Sequence, residues 1–135
     1  MNNDPTVLAV GIHGTATFIV TDADTSCAQG SGDVPVLATP RLVALGEQAC
    51  VDAVALTLEP GQTTVGSRVR VAHLAPTAVG GSVTATATLC EADGKRLVFN
   101  VSVTDGAGVV VGRGQIERSL VDRARFLTKV GIPLN

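Results

Sequence analysis

Two residues of this sequence are of a type that does chemistry and stand where a polar side chain is out of place. Glu47 lies in a run without proline from Arg41 to Leu58. At 100° per residue its neighbours one or two turns away are Val43, Ala44, Cys50, Val51 and Val54, all apolar. Burying a lone ionised carboxylate costs several kcal/mol, so Glu47 requires a partner or a raised pKa. His73 ends an alternating run in which Val65, Ser67, Val69, Val71 and His73 share one face, with Arg68, Arg70 and Ala72 on the other. The first set reads as the core face, and the imidazole emerges at the end of its apolar row. A carboxylate and an imidazole that approach one another, within a chain or between two copies, can perform general acid–base chemistry, for which an ordinary histidine pKa of ~6.5 is suited. The same two groups could also merely satisfy each other as a buried pair.

The elements that must position them are legible. Thr39-Pro40 is a helix start, since threonine can cap exposed amides and proline suits the first helical position. On that ground alone Thr39 reads as a cap. The helix is expected over Arg41 to Leu58 and must stop at Glu59-Pro60-Gly61. Gly46 inside it costs about 1 kcal/mol of helix propensity relative to alanine, which close packing against another element would explain. Alternation predicts strands over Thr15 to Thr21, Thr63 to Leu74, Ser82 to Glu91, Arg96 to Asp105 and Val109 to Val121, with Asp93-Gly94 as a hairpin turn. A short helix capped by Asp122 is expected from Asp122 to Val130.

The order is therefore strand, long helix, then a four-stranded antiparallel meander. One helix cannot cover both faces of five strands, so the economical α+β solution wraps an antiparallel five-stranded sheet around it, the hot-dog fold. A single such domain over residues 1–135 leaves a sheet edge uncovered and a polar helix stripe at Gln48 and Asp52, so a homodimer is expected.

Composition removes several classes of function. The chain is 45% apolar and 16% charged, enough for a core, and its formal charge of −2 argues against a nucleic-acid partner. Phe18, Phe99 and Phe126 are the whole aromatic content, which leaves no platform for stacking bases. Cys27, Cys50 and Cys90 are odd in number and lack CxxC spacing, so reduced thiols are expected. No long uncharged apolar run predicts a membrane span, and the start, with Asp4 and Pro5, lacks a secretory leader's pattern. A cytoplasmic location follows as the expectation. His13 and His73 are too isolated for a metal site, and Gly112-Arg113-Gly114 lacks the following helix of a phosphate-binding loop, so no cofactor is expected.

Val36-Leu37-Ala38-Thr39, Glu47-Gln48-Ala49-Cys50-Val51, Glu59-Pro60-Gly61, Val65-Gly66 and Val71-Ala72-His73 follow one another in this order. In these segments the sequence resembles the fluoroacetyl-CoA thioesterase family of hot-dog enzymes. Asp93-Gly94-Lys95-Arg96-Leu97, Gly112-Arg113-Gly114 and Glu117-Arg118 extend it, so that it covers roughly Val34 to Val130. It implies hydrolysis of an acyl-CoA or other acyl thioester, with the catalytic threonine, glutamate and histidine at Thr39, Glu47 and His73. It also implies a backbone contact to the thioester oxygen near Gly66.

One departure bears on substrate. Fluoroacetyl-selective members carry a phenylalanine-bearing segment before the threonine, and here Ser26-Cys27-Ala28-Gln29-Gly30-Ser31-Gly32-Asp33 has none. A different acyl group is therefore expected. The competing functions are a non-catalytic module binding acyl-CoA or a small ligand, with Arg68, Arg70, Arg113 and Arg118 as candidate phosphate contacts, and a hot-dog enoyl-CoA hydratase. The hydratase reading lacks its Asp and His five residues apart.

Overall fold

The computed structural model describes residues 8–134; Asp4 and Pro5, read above for a leader, lie outside them. Strand β1 (His13–Ile19) leads through a 3-10 turn, Asp22–Asp24, and a one-turn helix α1 (Ser26–Gln29) into the long helix α2 (Thr39–Val54). Strands β2 (Gln62–His73), β3 (Ser82–Asp93), β4 (Arg96–Asp105) and β5 (Val110–Asp122) follow, and α3 (Arg123–Lys129) closes the described chain. Asp122 caps α3 as expected, its carboxylate accepting from the Arg125 amide at 2.9 Å. The turn and α1 between β1 and α2 go beyond the sequence reading, because elements of three and four residues carry too little periodicity to read.

The sheet is antiparallel throughout and wraps α2, but it is not the expected four-stranded meander. Its order is β1-β3-β4-β5-β2, so only β3, β4 and β5 run as consecutive neighbours. β2 crosses to the far edge and pairs with β5, while β1 takes the edge beside β3. Each strand's own alternation is the same in either arrangement, which is why the local pattern could not choose between them.

Packing explains the helix composition. Leu42, Leu45, Ala49, Cys50 and Val54 are buried against Val83, Leu89, Phe99, Val103 and Ile116 of the sheet. Gly46 lets the sheet approach closely on that face, since a Cβ there would lie 3.1 Å from Ile116 Cδ1 and 3.2 Å from Val101 Cγ1. Gly14 does the same for β1: a Cβ would run into the helix backbone at Ala49 and Ala53, so α2 rests directly on that strand. The helix ends at Val54, four residues short of the expectation, because Ala55 to Leu58 turn away towards Pro60.

A bulge in β2 corrects the expected core row. Gly66 pairs with Arg118 and Arg68 with Glu117, leaving Ser67 as the extra residue. One inserted residue reverses the side-chain phase. Thr64 and Gly66 face inward before it and the row of Val69, Val71 and His73 after it, with Val69 left 44% exposed and Ser67 exposed as the extra residue.

Candidate active site

Thr39 is the first residue of α2 and sits beside the end of β2. Its Oγ1 lies 2.7 Å from His73 Nδ1. The helix is capped at Ala38 without any side-chain bond, so the expected capping role of Thr39 is not the one observed. Its hydroxyl is committed to the imidazole instead. Burial holds the His73 pKa below its ordinary value of 6.5, opposed in part by the Ala75 backbone. The ring is therefore neutral at pH 7, able to accept the Thr39 proton at Nδ1, with Nε2 enclosed and unpartnered. The two residues open onto a cleft of about 270 Å³.

Glu47 does not meet them in the chain. It lies eight residues along α2, about 12 Å from Thr39 at 1.5 Å per residue, and its partner is Arg118. Arg118 Nη1 donates to Glu47 Oε2 at 2.7 Å, while Arg118 Nε and Nη2 donate to Thr64 Oγ1 and the Thr64 carbonyl, both at 3.0 Å. Arg118 is buried, and the Glu47 side chain keeps 34% of its exposure. The requirement that Glu47 have a partner is met, but by a guanidinium rather than by His73. The idea of a buried Glu47–His73 pair within one chain is thus overturned. Alternation does place Arg118 on the face of β5 that it shares with the buried Ile116, but its meeting with Glu47 depends on how the strands pack against α2, which the local pattern does not carry.

The surroundings of Glu47 also differ from the apolar collar expected from helical periodicity. Val51 is 47% exposed and Ala44 is exposed, and with Gln48 and Asp52 they border an open cleft of about 560 Å³ that Glu47 and Arg118 line. Asp52 is not merely solvated: its Oδ2 accepts the Thr15 amide of the edge strand β1 at 3.0 Å. Gly66 lies against the Glu47 carboxylate so closely that a Cβ there would collide with Oε2. Cys50, one turn further along α2, is fully buried, and burial pushes its thiol pKa up to about 12. It stays protonated and is no nucleophile.

Three protein ligands of a metal do not assemble anywhere among the described residues. No helix among them is long and apolar enough to cross a membrane. Of the four arginines considered for phosphate contacts, Arg118 is buried beside Glu47, whereas Arg68, Arg70 and Arg113 are exposed on the sheet. Arg68 pairs with Glu117 at 3.4 Å.

Residues 20–124 match the family model described as fluoroacetyl-CoA-specific thioesterase. The fluoroacetyl-CoA thioesterase of Streptantibioticus cattleyicolor is 42% identical over 95 residues, 70% of this chain and 68% of that protein. A solved structure of the fluoroacetyl-CoA thioesterase FlK superposes with a TM-score of 0.85 at 35% identity, covering 94% of this chain and 99% of the other. A thioesterase superfamily member from Thermus thermophilus gives a TM-score of 0.85 at 26% identity, over 92% and 91% of the two chains. The family match spans α2 and strands β2 to β5, and so the chain belongs to the fluoroacetyl-CoA-specific thioesterase family, thioester hydrolases of the hot-dog fold.

Proposed function

We propose that this protein hydrolyses a short-chain acyl-CoA in the cytoplasm as a homodimer, through Thr39, Glu47 and His73. The observation that carries the reading is the 2.7 Å contact between Thr39 Oγ1 and His73 Nδ1, a hydroxyl and a neutral base joined at the start of a helix beside an open cleft. The positive end of the α2 dipole lies at the same place and favours negative charge developing on a thioester oxygen.

Glu47 supplies the attacking power, either as nucleophile on the thioester carbonyl or as base on the attacking water. In the second route a water proton passes to Glu47 as the water oxygen bonds to the carbonyl carbon. The C–S bond then breaks, and the departing thiolate takes a proton from the site. His73 exchanges a proton with Thr39 through Nδ1, so that the Thr39 hydroxyl is the group that meets the reacting oxygen. Gly66, whose bare backbone lies against the carboxylate, would offer its amide to that oxygen because no side chain stands in the way.

The two half-sites of one chain face different clefts, and this supports a dimer. Gly66 and His73 are seven residues apart on β2, on the order of 20 Å of strand at ~3.3 Å per residue. Glu47, fixed at Gly66, lies far beyond hydrogen-bond reach of the imidazole. A second copy covering the exposed helix face at Ala44, Gln48 and Val51 would set its own Thr39 and His73 against Glu47 of the first. The three unbonded cysteines fit a reducing compartment.

The segment before Thr39 carries no aromatic side chain, so the enzyme should not favour fluoroacetyl-CoA over acetyl-CoA by more than about 1,000-fold, a ratio of roughly 4 kcal/mol in transition-state binding. A thiol-release assay over acetyl-, fluoroacetyl-, branched and aromatic acyl-CoAs tests both points. Turnover of a short acyl-CoA is expected. Binding of every acyl-CoA without release of thiol would overturn the reading.

A further inference from the structure

The cleft beside Thr39 and His73 has a third polar wall that the hydrolytic chemistry does not use. Ser26, the first residue of α1, lines it together with the apolar residues Val36, Leu74 and Pro76. Ser26 is 9% exposed, and among the described residues its hydroxyl forms no hydrogen bond. Unlike the enclosed His73 Nε2 and Thr77 Oγ1, its hydroxyl keeps some solvent access, and Ser26 borders the cleft.

The backbone holds Ser26 in place from several sides. Its amide donates to the Val36 carbonyl at 2.9 Å, and its carbonyl accepts from the Ser31 amide at 3.1 Å. Thr25 bridges to Leu37, and a Cβ on Gly32 would lie 3.2 Å from the Ser26 Cβ. A hydroxyl that keeps solvent access is bonded by water, and a ligand's hydrogen-bonding group can take that water's place. None of the residues lining this cleft is a lysine or arginine, so it offers no counter-ion for a carboxylate. A neutral hydrogen-bonding group suits it.

We infer that Ser26 is a specificity-determining residue, and that the acyl group taken at this site is short and carries a hydroxyl or keto oxygen hydrogen-bonded by Ser26. The inference rests on the hydrolytic reading above and narrows it to a substrate class. The apolar walls hold the carbon chain, Thr39 and His73 face the thioester, and Ser26 holds the substituent.

The test is kcat/KM on matched pairs that differ in one oxygen: 2-hydroxypropionyl-CoA against propionyl-CoA, and 3-hydroxybutyryl-CoA against butyryl-CoA. The wild-type protein should prefer at least one hydroxylated member by about tenfold or more, since a site built around a hydrogen bond rejects the analogue lacking it. Ser26→Ala should bring that ratio close to one while leaving turnover of the plain acyl-CoA within a few fold. Equal rates for both members of each pair in the wild-type protein would overturn the inference while leaving the hydrolytic reading intact. So would an equal loss on both substrates in Ser26→Ala, which is the mark of a structural role. Hydrolysis of none of the four would overturn the hydrolytic reading itself. Should Ser26→Ala fail to fold, the wild-type ratios decide the matter alone.

Discussion

Thr39 Oγ1 and His73 Nδ1 lie 2.7 Å apart, joining the first residue of α2 to the last residue of β2. The contact ties the hydroxyl to a base that burial keeps neutral, and it leaves the helix start to be capped by backbone alone. Because no capping bond depends on Thr39, its substitution separates chemistry from stability. Thr39→Val should lower kcat/KM by at least about 100-fold, with Thr39→Ser retaining most of the activity. Thermal melts of both should stay near the wild-type curve. Equal activity of the serine and valine variants would remove the hydroxyl from the mechanism.

Glu47→Gln tests the other half-site. The amide keeps the size of the side chain and an acceptor for Arg118, and Glu47 is partly exposed, so the loss of stability should be no more than about 1–2 kcal/mol. Activity should nevertheless fall at least about 100-fold, since an amide is neither a competent nucleophile nor a base. Gly66→Ala should act through the same carboxylate, because its methyl would displace Oε2. Near wild-type hydrolysis by a well-folded Glu47→Gln would end the assignment.

His73 sets the expected pH behaviour. Burial lowers its folded-state pKa beneath the ordinary 6.5, so between those two values the unfolded chain binds the extra proton. The contribution to stability is therefore complete above about pH 6.5 and is lost as pH falls through the folded value. Activity that needs the neutral ring should likewise hold down to below pH 6.5 before an acid limb appears. NMR titration of the imidazole, compared with the pH profile of kcat/KM, checks both. An imidazole titrating above 6.5 would contradict the burial argument.

Sharing of the site between two copies has its own signature. Glu47→Gln and His73→Ala should each be inactive alone. Mixed in equal amounts under exchange, they should recover about a quarter of wild-type activity, because half of the dimers are mixed and each of these holds one intact site of two. Light scattering should show a dimer at micromolar concentration. No recovery in a mixture shown by mass spectrometry to contain mixed dimers would place the whole site within one chain.

The sequence alone determined the elements and the residues worth watching. Periodicity located α2, the strands from Gln62 to Asp122 and the Asp122 cap within a few residues, because each is a local consequence of backbone geometry and side-chain pattern. It also singled out Glu47 and His73 as polar side chains in apolar company, and the resemblance added Thr39 and Gly66. Tertiary structure decided what each of them touches. The bulge at Ser67 reversed the phase of β2 and turned Gly66, with its bare backbone, towards Glu47. The crossing of β2 to the edge beside β5 delivered Arg118 to that carboxylate and left His73 to Thr39. Neither could be read locally, because strand order and register are set by non-local pairing, and a single inserted residue exchanges the two faces of a strand.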